Sequence, residues 1–350
     1  MTGINSKTHQ RVAVVLCTWR AGPHLEAQLD SLAAQDWPHA VLVYDDASGD
    51  GTSARARRHP GVTDVFDRPA NLGFVQNFAA GIADAVVRGF DYIALADQDD
   101  VWQPTRLRDG MVAILAAERL RGRDHPLLVH SDLRLIDAAG RHLHASFIAW
   151  RGYATAGERD LPVVLGQCGA MGNTMLCNVA LARLALPFPP GLFVHDWWLA
   201  LLAELWGTRL FLPQPTVDYR LHADNASNSM ESTRRDVRSR LVRLGLDGLL
   251  ARDFRLPFKE DSRADVLDAL LTGDGHRPRP EGADRNTIVR FVSYLRLRGP
   301  RPALLASMLR GGYVRRGFLH RCRFAIALLV SRRYAASAGS TEGRRSTVQD

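Results

Sequence analysis

Apolar positions along the first 120 residues switch between two periods. Val12 to Cys17 is a continuous apolar run, β-branched at Val12, Val14 and Val15, the pattern of a strand buried on both faces. After Pro23, the residues Leu25, Leu29 and Leu32 share one helical face. Ala40 to Tyr44 predicts a second strand, which runs into Asp45-Asp46-Ala47-Ser48-Gly49-Asp50-Gly51. Phe74, Phe78, Ile82 and Val86 mark a helix that Gly89 ends, Tyr92 to Ala96 a further strand, and Leu107, Met111 and Leu115 a helix opening at Pro104. Such βα alternation predicts an α/β fold with a doubly wound, mainly parallel sheet and ligands at the carboxyl ends of its strands. Beyond Asp224 the pattern is helical only, with one helix through Val237, Leu241 and Leu244 and another through Val266, Leu267 and Leu270. A loop from Gly273 to Gly282 then leads to an arginine-rich end, and residues 339–350 have the composition of a disordered tail.

Length and composition narrow this picture. A chain of 350 residues, 46% hydrophobic, holds one large domain with an appendage or two domains, and excludes disorder throughout. The N-terminal apolar run is short and lacks a small-residue cleavage site, and no apolar run approaches the ~20 residues of a spanning helix, so a cytoplasmic protein is expected. Cys17, Cys168, Cys177 and Cys322 form no CxxC pair and read as buried thiols rather than a zinc site. The net charge of +8 is unevenly spread: residues 1–230 carry 20 Lys+Arg against 24 Asp+Glu, and residues 231–350 carry 25 against 13. From Arg285 to Arg333 there are twelve arginines and no acidic residue, interleaved with apolar positions such as Phe291, Leu295, Leu297, Phe318, Leu319 and Phe324. That interleaving suits an anionic membrane surface better than a nucleic-acid groove. With only Lys7 and Lys259 in the chain, arginine enrichment also has a plainer source in composition bias.

The chemistry sits at the predicted strand ends. Thr18 ends the first strand, Asp45 and Asp46 the second, and Asp97, Asp99 and Asp100 the third. A single aspartate after a strand commonly caps a helix or closes a turn. Three within four positions repel one another unless a cation or donors compensate them. Alternate residues of an extended segment point the same way, so Asp97 and Asp99 can face one hard cation, Mg²⁺ or Mn²⁺, with positions left open for phosphate oxygens.

The ordered segments VVLCTW, VYDDASGDGT, NLGFVQN, ALADQDDVW and HDWW resemble the nucleotide-sugar-binding domain of the inverting family 2 glycosyltransferases, and within it the bacterial rhamnosyltransferase-like branch. The resemblance covers about Arg11 to Asn225 and implies a GT-A fold over residues 11–225, followed by a basic helical region at 226–338 and the tail at 339–350. It further implies that Thr18 and Asp46 hold the base and ribose with Asp45 beside them, that Asn71, Gly73 and Asn77 line the donor site, and that Asp97 and Asp99 engage metal and diphosphate. Where the family usually has a Glu-Asp pair this sequence has His195-Asp196, as the rhamnosyltransferase-like members do, which makes Asp196 the expected base. Gly172 and Asn173 match an acceptor-side loop, and His222 a histidine that in some relatives reaches the metal or diphosphate. Trp197 and Trp198, which cannot share a helix face, are candidates for stacking on the acceptor.

The implied activity is transfer of a sugar, rhamnose from its dTDP donor being favoured, to a lipid-linked O-antigen, lipopolysaccharide or exopolysaccharide acceptor at the inner face of the cell membrane. No nucleic-acid partner is expected. Two rivals share some of these features. Asp97-Gln98-Asp99-Asp100-Val101 also fits the nucleophile pattern of haloacid-dehalogenase-like phosphatases, and the basic end alone would suit a noncatalytic membrane or nucleic-acid binder.

Overall fold

The computed structural model describes residues 10–153, 160–222, 260–296 and 298–313, together with Arg321, Cys322, Ala325 and Leu328. The expected helix through Val237, Leu241 and Leu244, the tail at 339–350, and Leu297, Phe318, Leu319 and Phe324 lie outside these residues.

The apolar runs form strands because both of their faces are covered. β1 (Val12–Thr18) pairs in parallel with β2 (Ala40–Asp45) and β4 (Tyr92–Ala96), and β2 with β3 (Asp64–Asp67). Ala13, Val15, Leu42, Tyr44, Ile93 and Leu95 enter one hydrophobic cluster, and the alternate residues Val12, Val14, Leu16, Val41, Val43, Tyr92, Ala94 and Ala96 enter the other. α3 (Phe74–Val87) fills the first layer; α1 (Leu25–Ala33) and α4 (Arg106–Arg121) fill the second. Between β2 and β3 lies α2 (Thr52–Arg58).

The second half of the sheet is mixed. β5 (Val101–Trp102), β6 (Leu127–Asp137), β7 (His142–His144), β8 (Leu176–Asn178) and β9 (Thr208–Leu221) extend it to the order β3-β2-β1-β4-β8-β6-β9-β5, with β7 on β6. β8 runs antiparallel between β4 and β6, β5 is antiparallel to β9, and the long β6–β9 pair is parallel. The polar residues inside β6 are matched by partners: Ser131 Oγ meets Thr216 Oγ1 at 2.6 Å, and Asp132 accepts from the Leu133 and Ile148 N–H groups and from Ser146. α5 (Phe147–Arg151), α6 (Leu161–Gly166), α7 (Val179–Ala185) and α8 (His195–Trp206) complete this part.

The C-terminal helices α9 (Glu260–Thr272), α10 (Gly282–Leu295) and α11 (Arg301–Arg310) share the first hydrophobic cluster rather than forming a core of their own. Ala264, Leu267, Phe291 and Leu295 pack in it with Leu165 and Trp197, and the Gln167 side chain donates to Gly312 O at 3.0 Å. This corrects one expectation: Phe291 and Leu295 are buried and so present nothing apolar to a membrane, because α10 packs against α6, α9 and α11. Among the described residues no helix is long and apolar enough to cross a membrane. The four cysteines are free thiols; Cys177 is buried and the others are half-buried.

Candidate active site

The carboxyl ends of β1, β2 and β4 lie side by side, and the sequence-predicted polar residues meet there. The first group builds the walls. Thr18 Oγ1 and Ser48 Oγ both donate to Asp45 Oδ1, at 2.8 and 2.6 Å, and the Ser48 N–H donates to Asp45 Oδ2 at 2.9 Å. Asp46 accepts from the N–H groups of Leu72 and Gly73 at 2.7 and 2.8 Å, while Asn71 Nδ2 donates to its backbone carbonyl at 3.1 Å. Gly73, at φ +79°, opens α3 in a conformation that a side chain would strain. Asn77 donates to Tyr44 O at 2.8 Å and accepts from Arg68 Nε at 3.0 Å.

Thr18, Asp45, Asp46 and Asn77 are therefore all buried and committed to protein partners. In this structure their side chains fix the loops around the site, and Asn71 is the member of the donor-side set left exposed. Two residues that sequence reasoning missed are better placed. Arg68 follows β3, a strand too short and too polar to be read from its pattern, and its Nη2 is buried without a hydrogen-bond partner among the described residues. Trp19, 50% exposed, is locked to the acidic turn by Gln98, which accepts from its N–H at 2.7 Å and donates to its carbonyl at 3.1 Å.

The three carboxylates of the turn separate into different environments. Asp97 is half-buried and takes no hydrogen bond from any described residue; burial, then Asp99 and Asp196, pushes its pKa up to about 7. Asp99 Oδ2 lies 2.7 Å from His222 Nε2, and the His24 ring stands 5.2 Å from that of His222. Asp100 is fully buried and hydrogen-bonded within the protein. Among the described residues no group of three or more His, Cys, Asp or Glu side chains forms a closed metal cage. The donor set still fits a hard cation: Asp97 and Asp99 supply oxygen, Asp97 has no hydrogen-bond partner among the described residues while Asp99 is shared with His222, and an open coordination sphere is what a phosphate-binding metal needs.

Opposite this turn lies the start of α8. Asp196 is in its first turn, where the helix dipole favours a carboxylate; it accepts a hydrogen bond from the Trp197 N–H at 2.5 Å, and the nearby Gly172 N–H also favours its ionised form. Burial outweighs these donors and the nearby Arg263, and its pKa rises to about 6. Arg263, on α9, carried no signal in the sequence. His195 stacks on Phe78 at 4.0 Å, has no partner for either ring nitrogen, and is held neutral by burial, which lowers its pKa to about 3. A Cβ on Gly172 would stand 2.6 Å from His195 Nε2, so this position admits only glycine without displacement.

Trp197 and Trp198 are both 0% exposed. Arg263 covers the Trp197 ring and Arg277 the Trp198 ring, and Trp198 Nε1 donates to Ala185 O at 3.0 Å. Neither ring presents a face on which an acceptor could stack in this structure, because α8 packs among α6, α7, α3, β6 and β9 and both tryptophans are buried. Exposed aromatic surface near Asp196 comes instead from Phe74, 48% exposed and 6.1 Å from the His195 ring. Gly172 and Asn173, the expected acceptor-side pair, are buried with their loop. A small pocket behind that loop, lined by His130, Cys168 and Arg209 among others, has none of the acidic residues in its lining.

Residues 13–119 match the family model described as "Glycosyl transferase family 2". No curated protein sequence matches the chain. Among solved structures, S. aureus TarS residues 1–349 in complex with UDP-GlcNAc aligns at 16% identity and a TM-score of 0.52, over 91% of this chain and 90% of that one. A mannosyltransferase from Pyrobaculum calidifontis, in complex with GDP-Man and Mn²⁺, aligns at 17% identity and a TM-score of 0.48, over 91% and 85%. The architecture is thus a GT-A-type α/β fold with a helical C-terminal region, and its residues 13–119 are similar to the glycosyl transferase family 2 model.

Proposed function

We propose that this protein is an inverting, divalent-metal-dependent glycosyltransferase that moves a sugar from a nucleotide-diphosphate donor to a hydroxyl of a cell-envelope saccharide. The observation that carries the reading is the meeting of Asp97, which has no hydrogen-bond partner among the described residues, and the His222-bound Asp99 with Asp196, a carboxylate close enough to influence Asp97 and tuned to about 6. The donor diphosphate belongs beside Asp97 and Asp99, which would hold Mg²⁺ or Mn²⁺, with His222 steadying Asp99. When bound, the cation neutralises the charge that develops on the departing diphosphate. Asn71, Gly73, Arg68 and Trp19 border the place for the nucleotide, on the walls that Thr18, Asp45, Asp46 and Asn77 build.

Transfer follows from the two sides of this cleft. Asp196 takes the proton of the acceptor hydroxyl as that oxygen forms its bond to the anomeric carbon. On the opposite face the bond from that carbon to the diphosphate oxygen breaks, leaving a nucleoside diphosphate and an inverted product. A value near 6 keeps Asp196 ionised at neutral pH yet basic enough to accept a proton in the transition state.

We read residues 11–225 as the catalytic region and 226–338 as a helical extension that shares its core. The exposed Arg285, Arg290, Arg298 and Arg310 support contact with an anionic membrane, and with it a lipid-linked acceptor at the cytoplasmic face. Rhamnose from dTDP-rhamnose is the favoured donor on the resemblance of the motifs. A thermal-shift screen of nucleoside diphosphates and nucleotide sugars, each with and without Mn²⁺ or Mg²⁺, tests the reading: the right donor raises the midpoint only with metal. No shift with any of them would sink it.

A further inference from the structure

The reaction proposed above gives the described C-terminal helices no part in the chemistry, yet one of their side chains reaches the segment that carries Asp196. Arg263 lies on the buried face of α9: Arg263, Leu267 and Leu270 recur at i, i+4 and i+7, and all three are buried, Arg263 at 6% exposure. A cation on a core face is costly unless its surroundings use it. Here the guanidinium carbon stands 4.2 Å from the centre of the Phe193 ring and 5.2 Å from that of the Trp197 ring, and Nη1 donates to Leu165 O at 3.3 Å.

Those two rings bracket the base. Phe193 precedes α8 and Trp197 lies in its first turn, their ring centres are 5.5 Å apart, and Asp196 falls between them in the chain. The Trp197 N–H is also the donor to Asp196 Oδ1 at 2.5 Å. The next tryptophan shows by contrast what Arg263 supplies. Trp198 is anchored through Nε1, which donates to Ala185 O at 3.0 Å, whereas Trp197 Nε1 is buried with no hydrogen-bond partner among the described residues. Packing alone therefore sets the Trp197 ring, and the guanidinium over it and over Phe193 is the directional part of that packing. Leu165 O, the third contact, ties the same guanidinium to α6, on which α10 packs.

We propose that Arg263 is a positioning residue for sugar transfer: by holding Phe193 and Trp197 together it fixes the entry of α8, and with it the Asp196 carboxylate, so that the C-terminal helices complete the base side of the cleft. The inference rests on the transferase reading, since proton transfer at Asp196 is the step that Arg263 serves. The donor side, at Asp97 and Asp99, stands instead on the turn after β4. A small displacement of the base slows transfer without weakening nucleotide binding.

The test compares full-length wild type with Arg263→Met, Phe193→Leu and Arg277→Lys in three measurements: the melting midpoint, calorimetric binding of whichever of UDP, dTDP and GDP wild type takes with Mn²⁺, and kcat for transfer from the matching nucleotide sugar to a cell-envelope saccharide. Methionine keeps the length and apolar bulk of the arginine and removes its cation and its donor to Leu165. Arg277 is the comparator because it also covers a tryptophan, Trp198 at 4.8 Å, but donates to Leu184 O, Ala185 O and Pro187 O at the end of α7. Arg263→Met should bind the nucleotide within about threefold of wild type and lose at least about tenfold in kcat, and Phe193→Leu should show the same split with a loss of about threefold or more. Arg277→Lys should lower the midpoint and keep kcat within about threefold. Full turnover in Arg263→Met would make Arg263 a packing residue only and overturn the proposal; so would a kcat that falls equally in Arg277→Lys, or that falls in step with nucleotide affinity. If Arg263→Met does not fold, Phe193→Leu against Arg277→Lys decides by the same comparison. Failure of the underlying reading has a different signature, since wild type itself would then show neither metal-dependent nucleotide binding nor transfer.

Discussion

In the proposed reaction Asp97 and Asp196 carry the chemistry, and burial raises the proton affinity of each. The folded state holds a proton on Asp97 up to about pH 7 where an unfolded chain releases it near 4, so metal-free stability should fall as pH rises through that window. Asp97→Asn removes this effect. The midpoint of the variant should match wild type near pH 4 and exceed it by a few degrees at pH 8 without metal, a gap that saturating Mn²⁺ closes by stabilising wild type alone; melting curves at the two pH values check it, and a constant gap contradicts it. For Asp196 the working form is the ionised one, so kcat/KM should drop about tenfold per pH unit below about 6. Asp196→Asn should cost at least ~10²-fold in transfer while leaving nucleotide binding unchanged; ordinary rates in that variant would remove Asp196 from the mechanism. The sequence marked Asp97 because clustered like charge at a strand end is visible in one dimension, whereas Asp196 was marked only by the resemblance of the HDWW segment. It could not show that Asp45 and Asp46 are consumed by Thr18, Ser48, Leu72 and Gly73, since hydrogen-bond partners depend on where loops fold back. Arg68 and Arg263 were invisible for the same reason: each looks like any other arginine until its neighbours are known.

At the scale of elements, β1, β2, β4, α1, α3 and α4 were legible because each obeys one clean period, a continuous run for a strand covered on both faces or a four-residue recurrence for a helix on a sheet. β6 and β9 were not, because His130, Ser131 and Asp132 interrupt the one and two prolines the other. Their polar atoms are paired across the sheet, which a hydropathy pattern does not register. The tight seat of α3 on β1 can be tested through Gly81, where a Cβ would stand 2.7 Å from Val15 Cγ1 and 3.0 Å from the Tyr44 ring. Gly81→Ala should therefore destabilise the protein by about 1–3 kcal/mol despite alanine's better helix propensity. Denaturant unfolding measures it, and a stabilised variant would mean that α3 lies further from the sheet.

For the whole molecule, the basic character of the C-terminal part was readable as a charge asymmetry, but the core that its described helices share with the rest of the chain was not. Composition places the arginines outside a typical interior, yet Arg263 and Arg277 are buried over Trp197 and Trp198, and Phe291 and Leu295 face inward with them. A fragment ending at residue 225 should consequently expose the apolar surface of α6 and α8 and fail to give a cooperative melt, where an independent domain would melt sharply. The full chain should bind vesicles containing anionic lipid and leave them as salt rises toward 1 M, through the exposed arginines of α10 and α11; binding to neutral vesicles alone would point elsewhere. The central claim is a metal-bridged diphosphate at the end of β4, and its most direct test is calorimetric titration of UDP, dTDP and GDP into wild type, Asp97→Asn and Asp99→Asn, each with and without Mn²⁺. The account predicts binding of one nucleotide that requires Mn²⁺ in wild type and is lost in both variants. Equal binding without metal, or full binding in the variants, would contradict it.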